Sequence, residues 1–184
     1  MHIHRCICEF IPSIRLKTQL SVVMHKREFT KPTATAPLAL EAIENSELYL
    51  HGKIDSPLSL EHLKKDDRRL LLLFPSDKAR VINEDFLNED KRPITLVVPD
   101  GNWRQAKRIP KRIQGLESAE HVVLPVGEPT AWGIRNEPQE NGLATFEAIA
   151  RALGIIESKD VEKQLMELFH KMVETTIAAK YNKK

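Results

Sequence analysis

Two cysteines, Cys6 and Cys8, are all the chain has. That is too few to staple a domain, and cysteines two apart in sequence do not bridge easily. The N-terminus has no uninterrupted apolar segment of the signal-peptide kind, because Arg5, Glu9, Arg15 and Lys17 break it. No apolar run is long enough to span a bilayer. A soluble, reducing, cytoplasmic setting is the expectation. Charge is abundant without a net excess: 28 lysines and arginines stand against 26 acidic residues, a net charge of +2. Net charge therefore does not announce a nucleic acid. There is no internal repeat and no low-complexity tract. A length of 184 residues suits one compact domain with a full core.

The distribution of charge is more telling than its sum. No acidic residue occurs from Gly101 to Leu116, whereas Arg104, Lys107, Arg108, Lys111 and Arg112 do. Trp103, Ala106, Ile109 and Ile113 recur there at helical spacing, so a helix starting near Trp103 has an apolar side and a cationic side, with Pro110 as a kink. Such a face either holds phosphates or merely solvates the helix.

Apolar runs alternate with helical patterns along the chain. Gln19 to Met24, Glu47 to Leu50, Leu70 to Phe74, Ile94 to Val98 and Val122 to Leu124 read as strands; Pro99 closes the fourth. The unbroken run at Leu70 suits a strand buried on both faces of a parallel sheet. Leu38 to Asn45, Thr145 to Ile156 and a last segment capped by Ser158 read as helices. The expected fold is a single α/β layered domain over 1–184 with a mainly parallel sheet. Residues 1–18 form an N-terminal segment, and 158–184 a C-terminal helix with a frayed tail.

Three strands run into polar clusters: His25-Lys26-Arg27-Glu28, Pro75-Ser76-Asp77-Lys78 and Asp100-Gly101-Asn102-Trp103. A parallel sheet lines such clusters along its carboxyl edge, where α/β proteins place ligands. A fourth group, Arg135 to Gln139, precedes Gly142-Leu143-Ala144-Thr145. Helix starts near Trp103 and Thr145 offer backbone N–H groups to an anion. Each cluster alone reads equally well as loop polarity; together they point to a site for a flat, anionic partner.

In their order and spacing these segments resemble the DTW-domain family. Asp100-Gly101-Asn102-Trp103 is similar to its Asp-x-Thr-Trp signature. His25 to Glu28 leading to Thr35 resembles its His-x-x-Glu and Thr-Asn-Thr-Gly segment, Phe74-Pro75-Ser76 its Phe-Pro loop, and Leu143-Ala144-Thr145-Phe146-Glu147-Ala148 its Leu-Ser-Thr-Leu-Glu-Ala. Cys6-Ile7-Cys8 resembles the end of its N-terminal cysteine region. The resemblance implies a SPOUT-like fold, of the α/β-knot class. It implies a tRNA-uridine aminocarboxypropyltransferase that moves the 3-amino-3-carboxypropyl group of S-adenosylmethionine to N3 of a tRNA uridine. On that footing Asp100, Asn102 and Trp103 are the catalytic candidates, with Asp77 and Glu28 in reserve as bases. Phe74, Pro75, Ser76, Asp100, Gly101, Leu143 and Thr145 are the cofactor candidates. Arg104, Lys107, Arg108, Lys111, Arg112, Arg135 and His25 are the RNA candidates.

Blander roles stand beside these. Asp100 also suits a turn or helix cap. Trp103 suits core packing as well as base stacking, and Trp132 is the freer aromatic. His2, His4, Cys6 and Cys8 have zinc-type side chains, but their spacing needs a turn to close a tetrahedron, and no metal is the main expectation. An RNA methyltransferase using the same cofactor and a non-catalytic RNA-binding module are the rival functions. Asn102 in place of the signature threonine leaves altered preference or weakened activity open.

Overall fold

The computed structural model describes residues 6–31, 33–53, 56–127, 129–130 and 142–181. Strand β1 spans Gln19–His25, β2 Ser46–His51, β3 Arg69–Leu73, β4 Arg80–Val81, β5 Ile94–Asp100 and β6 Glu120–Val123. Helix α1 spans Ala36–Ala42, α2 Glu84–Asn88, α3 Trp103–Ala106, α4 Ile109–Arg112, α5 Thr145–Ile156 and α6 Lys159–Tyr181. The six strands form one sheet in the order β2-β1-β5-β3-β6-β4. Every pairing in it is parallel.

Alternate strand residues build two cores, one on each side of the sheet. Leu20, Val22 and Met24 of β1, Leu71 of β3 and Leu96 of β5 pack under α1, α5 and α6. Val23, Leu70, Leu72 and Val97 face the other way, onto Leu60, Leu63, Ala106, Ile109 and Ile113. A strand covered on both faces favours apolar residues at successive positions, which is why Leu70 to Leu73 of β3 is a continuous run and β5 departs from one only at Thr95 and its end, Asp100. Arg69 is the polar start of β3 and is buried. Its guanidinium makes a bidentate pair with Glu120 (2.6 and 2.7 Å) and donates to the Phe86 carbonyl at 2.9 Å. Those bonds offset its loss of water.

Several elements depart from the sequence expectation. Pro99 does not end β5, which continues to Asp100. The β3 ladder stops at Val97, whereas β1 stays paired as far as Asp100. With one side of β5 unpaired, a residue lacking an N–H is tolerated. Helix α1 covers Ala36–Ala42 rather than Leu38 to Asn45. Asn45 instead stitches the turn into β2, its Nδ2 donating to the carbonyls of Leu16 and Thr18. The cationic helix is two short helices. Pro110 clashes with the carbonyl four residues earlier, that of Ala106, where α3 stops. Pro110 then sits in the first turn of α4, where its missing N–H costs nothing. The C-terminal helix starts as read, with Ser158 Oγ accepting from Val161 N at 3.3 Å.

Cys6 and Cys8 are bonded to each other, against the expectation of two unbridged thiols. Ile7 between them lies at φ −102°, ψ 10°, a turn that brings their Cα atoms to 5.5 Å, inside bridging range. Joined sulfurs are not two thiolate ligands, and no cluster of metal-ligating side chains occurs among the described residues; His2 and His4 lie outside them.

The turn after α4 is set by Gly115, at φ +100°. A Cβ there would lie 2.4 Å from the backbone of Leu60 and Glu61. We expect Gly115→Ala to destabilise the fold by about 2 kcal/mol or more, combining left-handed strain with a backbone clash. A chemical denaturation midpoint equal to that of the parent would show that this turn shifts freely.

Candidate active site

The carboxyl ends of β1, β5, β3 and β6 open onto one cavity of about 640 Å³. Asp100 ends β5 and is 8% exposed. Its Oδ1 accepts a hydrogen bond from Thr145 Oγ1 at the start of α5. Residues 45 positions apart in sequence thus meet at one carboxylate. Phe74, Pro75, Gly101, Asn102, Trp103, Arg104 and Leu143 line the same space.

Asn102, not Asp100, caps α3: its Oδ1 accepts from Gln105 N at 2.9 Å, and Gln105 Oε1 accepts from Asn102 N at 2.8 Å. Such reciprocal bonds satisfy two otherwise orphaned donors. Asparagine and threonine both serve as N-caps, so the departure from the signature keeps this local function. We expect Asn102→Ala to cost about 1 kcal/mol and Asn102→Thr to restore most of it, read from denaturation midpoints. Trp103 takes the core-packing role at the cavity wall. It packs on the core under α3 and α4, tilted against Phe74 at 5.7 Å, and it lines the cavity.

Ser76, Asp77 and His25 do not line the cavity. Ser76 is exposed and shares a hydrogen bond with His121 Nδ1 at 2.8 Å. Burial holds the His121 imidazole below its usual range, with Lys78 adding to the effect. Asp77 is exposed and does not line the cavity. His25 turns toward β2 and meets His51 edge-on at 5.0 Å. The register of β1 with β2 sets these two residues opposite each other. Burial, then Arg27, lowers the His25 pKa, and its Nδ1 accepts from Arg27 N at 3.2 Å. Burial pushes His51 down to about 4, with His25 and Arg112 adding repulsion. Arg104, Lys107, Arg108, Lys111 and Arg112 are all exposed, while Ala106, Ile109 and Ile113 are buried beneath them. Arg135 and Trp132 lie outside the described residues.

The cavity also holds residues that sequence reasoning missed. Arg151 lines it from α5 and donates to the Pro129 carbonyl at 3.3 Å. Thr145, Ala148 and Arg151 are spaced by three, so they share a helix face, and that spacing was a usable signal. Thr35 lines the cavity and its Oγ1 accepts from Phe146 N at 3.2 Å, tying the loop after β1 to α5. Glu147 is fully buried behind them; its Oε2 accepts from Ala144 N at 3.1 Å and from Thr130 Oγ1.

The family model described as DTW domain matches residues 1–177. The chain belongs to the DTW domain family. The DTW domain here is 28% identical, over 162 residues, to tRNA-uridine aminocarboxypropyltransferase 2 of Macaca fascicularis, a match covering 84% of this chain and 54% of the relative. It is 27% identical over 167 residues to the protein of the same name from Drosophila melanogaster, covering 88% and 66%. The chain thus spans about half to two thirds of the length of these curated relatives. Among solved structures, the SAM-dependent rRNA:acp-transferase Tsr3 from Vulcanisaeta distributa aligns with a TM-score of 0.47 and 18% identity, covering 89% of this chain and 80% of that one.

Proposed function

We propose that this DTW domain is a tRNA-uridine aminocarboxypropyltransferase, with S-adenosylmethionine as donor and N3 of a tRNA uridine as acceptor, and a SPOUT-type fold as part of that reading. The observation that carries it is the shared cavity in which Thr145 binds Asp100 among Phe74, Gly101, Trp103 and Leu143. The names of the relatives support the same chemistry.

The residues present fit such a donor. The volume lies in the range of sites for molecules of that size. Leu73, Phe74, Pro75 and the segment Val122–Pro125 give an apolar wall for a flat ring, while Thr35, Thr145, Arg104 and Arg151 give charged and hydrogen-bonding groups for a zwitterionic arm. When bound, S-adenosylmethionine supplies a sulfonium that activates the γ-carbon of its amino-acid arm and departs as methylthioadenosine.

The protein's own work is positional and proton-transferring. The N3 lone pair of uridine is a poor nucleophile until its proton leaves, and Asp100 is the carboxylate that takes it. Thr145 fixes the direction of that carboxylate through Oδ1. Leu143 and Gly101 hold donor and acceptor at the distance that decides which carbon is attacked. Trp103, half-buried against Phe74, lines the cavity and offers aromatic surface to the pyrimidine. The exposed cations from Arg104 to Arg112 hold tRNA phosphates and fix the register without reading bases.

Nucleoside mass spectrometry after incubation with tRNA and S-adenosylmethionine tests the proposal. Aminocarboxypropyluridine with methylthioadenosine is the expected result. A methylated base with adenosylhomocysteine would overturn it in favour of a methyltransferase, and tRNA binding without cofactor uptake in favour of a binding module.

A further inference from the structure

Glu28 is a carboxylate that the mechanism above does not use. It is 5% exposed, yet it lines the cavity. A buried carboxylate needs a cationic or hydrogen-bonding partner to offset lost hydration. Among the described residues it has one, Lys31, whose Nζ lies 2.7 Å from Oε1. That lysine is 45% exposed, so the pair faces solvent on the lysine's side.

Sheet order tells which end of the cavity Glu28 occupies. The loops after β1, β5, β3 and β6 lie side by side in that order. They contribute, in turn, Glu28, Asp100, Phe74 and Val122–Pro125. The cavity therefore carries its two carboxylates at the β1–β5 end, with Arg104 following Asp100 there, and its apolar wall at the β3–β6 end, where Arg151 reaches the Pro129 carbonyl. A donor with a flat apolar ring at one end and a zwitterionic arm at the other has one favourable orientation there. Its ring lies against Phe74 and its arm lies beside Asp100 and Glu28. The lysine ammonium already held by Glu28 is the same chemical group as the α-ammonium of that arm.

Resting on the reading above, we propose that Glu28 is a specificity-determining residue that accepts the α-ammonium of the donor's amino-acid arm. Charge-assisted bonds of this kind are roughly twice as strong as neutral ones and geometrically demanding. Asp100, already engaged by Thr145, is thereby left to the acceptor base. Glu28 selects donors with an amino-acid arm over nucleosides without one.

Calorimetric binding of S-adenosylhomocysteine, which carries the arm, and of methylthioadenosine, which lacks it, tests this. Glu28→Gln should weaken S-adenosylhomocysteine by about 10- to 100-fold and leave methylthioadenosine within about twofold. An unchanged S-adenosylhomocysteine affinity would overturn the proposal. So would an equal loss for both nucleosides, which would place Glu28 on the ribose or in the framework. Lys31→Met separates ammonium recognition from loop positioning. It should keep or tighten S-adenosylhomocysteine binding; if it reproduces the Glu28→Gln loss, Glu28 acts through its ion pair and the proposal fails. Should the parent protein bind neither nucleoside, the donor itself is wrong, a result distinct from loss of discrimination.

Discussion

Asp100→Asn is expected to lower the rate of product formation by about 10²- to 10⁴-fold, the usual contribution of a positioned general base. Donor affinity should change little, because the side chain keeps its size and one carbonyl oxygen that can still accept from Thr145. The commonest structural use of an aspartate before a short helix is the cap, and at α3 that place belongs to Asn102. Asp100 lies at the end of β5, is almost buried and faces a cavity rather than a turn. The orienting donor has a smaller role. Thr145→Val should cost roughly tenfold, the worth of one hydrogen bond to a charged group. Single-turnover assays with saturating donor measure both variants, and thermal melts check that the fold survives. Wild-type turnover by Asp100→Asn would remove Asp100 from the proton path and leave Glu28, the other buried acid among the described cavity residues, as the candidate.

Much of this site was legible before any coordinates, for a reason specific to parallel sheets. Leu70 to Leu73 is apolar at every position, and Ile94 to Val98 at every position but Thr95, because each strand is covered on both faces. Once those runs are strands of one parallel sheet, their polar successors must share an edge. That places Asp100 at the edge; the arrival of Thr145 there, at the start of α5, is a tertiary contact the strand pattern does not fix. Helix α5 was readable to the residue from its apolar spacing. What escaped is what depends on pairing. His25 faces His51 because β1 and β2 are in register at those residues, a fact absent from either local sequence. Pro99 continues β5 because the neighbouring ladder happens to stop at Val97. Strand β4 has two residues, too short for any periodicity. The Cys6–Cys8 bond depends on one turn at Ile7.

Replacing Arg104, Arg108 and Arg112 together by glutamine should weaken tRNA binding by about 10²-fold near 0.1 M salt and lower the slope of log K against log salt by about 2 to 3. The three are spaced by four, a pattern that in one continuous helix would make a straight ridge. The break between α3 and α4 bends that ridge, yet all three remain exposed because Ala106, Ile109 and Ile113 anchor the segment from below. Stability should therefore be nearly unchanged, as substitutions on an exposed surface usually leave it. Neutralising fewer phosphates releases fewer counterions, so the slope reports how many phosphates the protein holds, which affinity by itself does not. The donor site is separable in the same experiment. Arg104 lines the cavity, whereas Arg108 and Arg112 do not. A double variant at Arg108 and Arg112 should lose tRNA affinity with S-adenosylhomocysteine binding intact. An unchanged salt slope in the triple variant would put the RNA on another face of the molecule, and the cations of α3 and α4 would then be a solvated surface and nothing more.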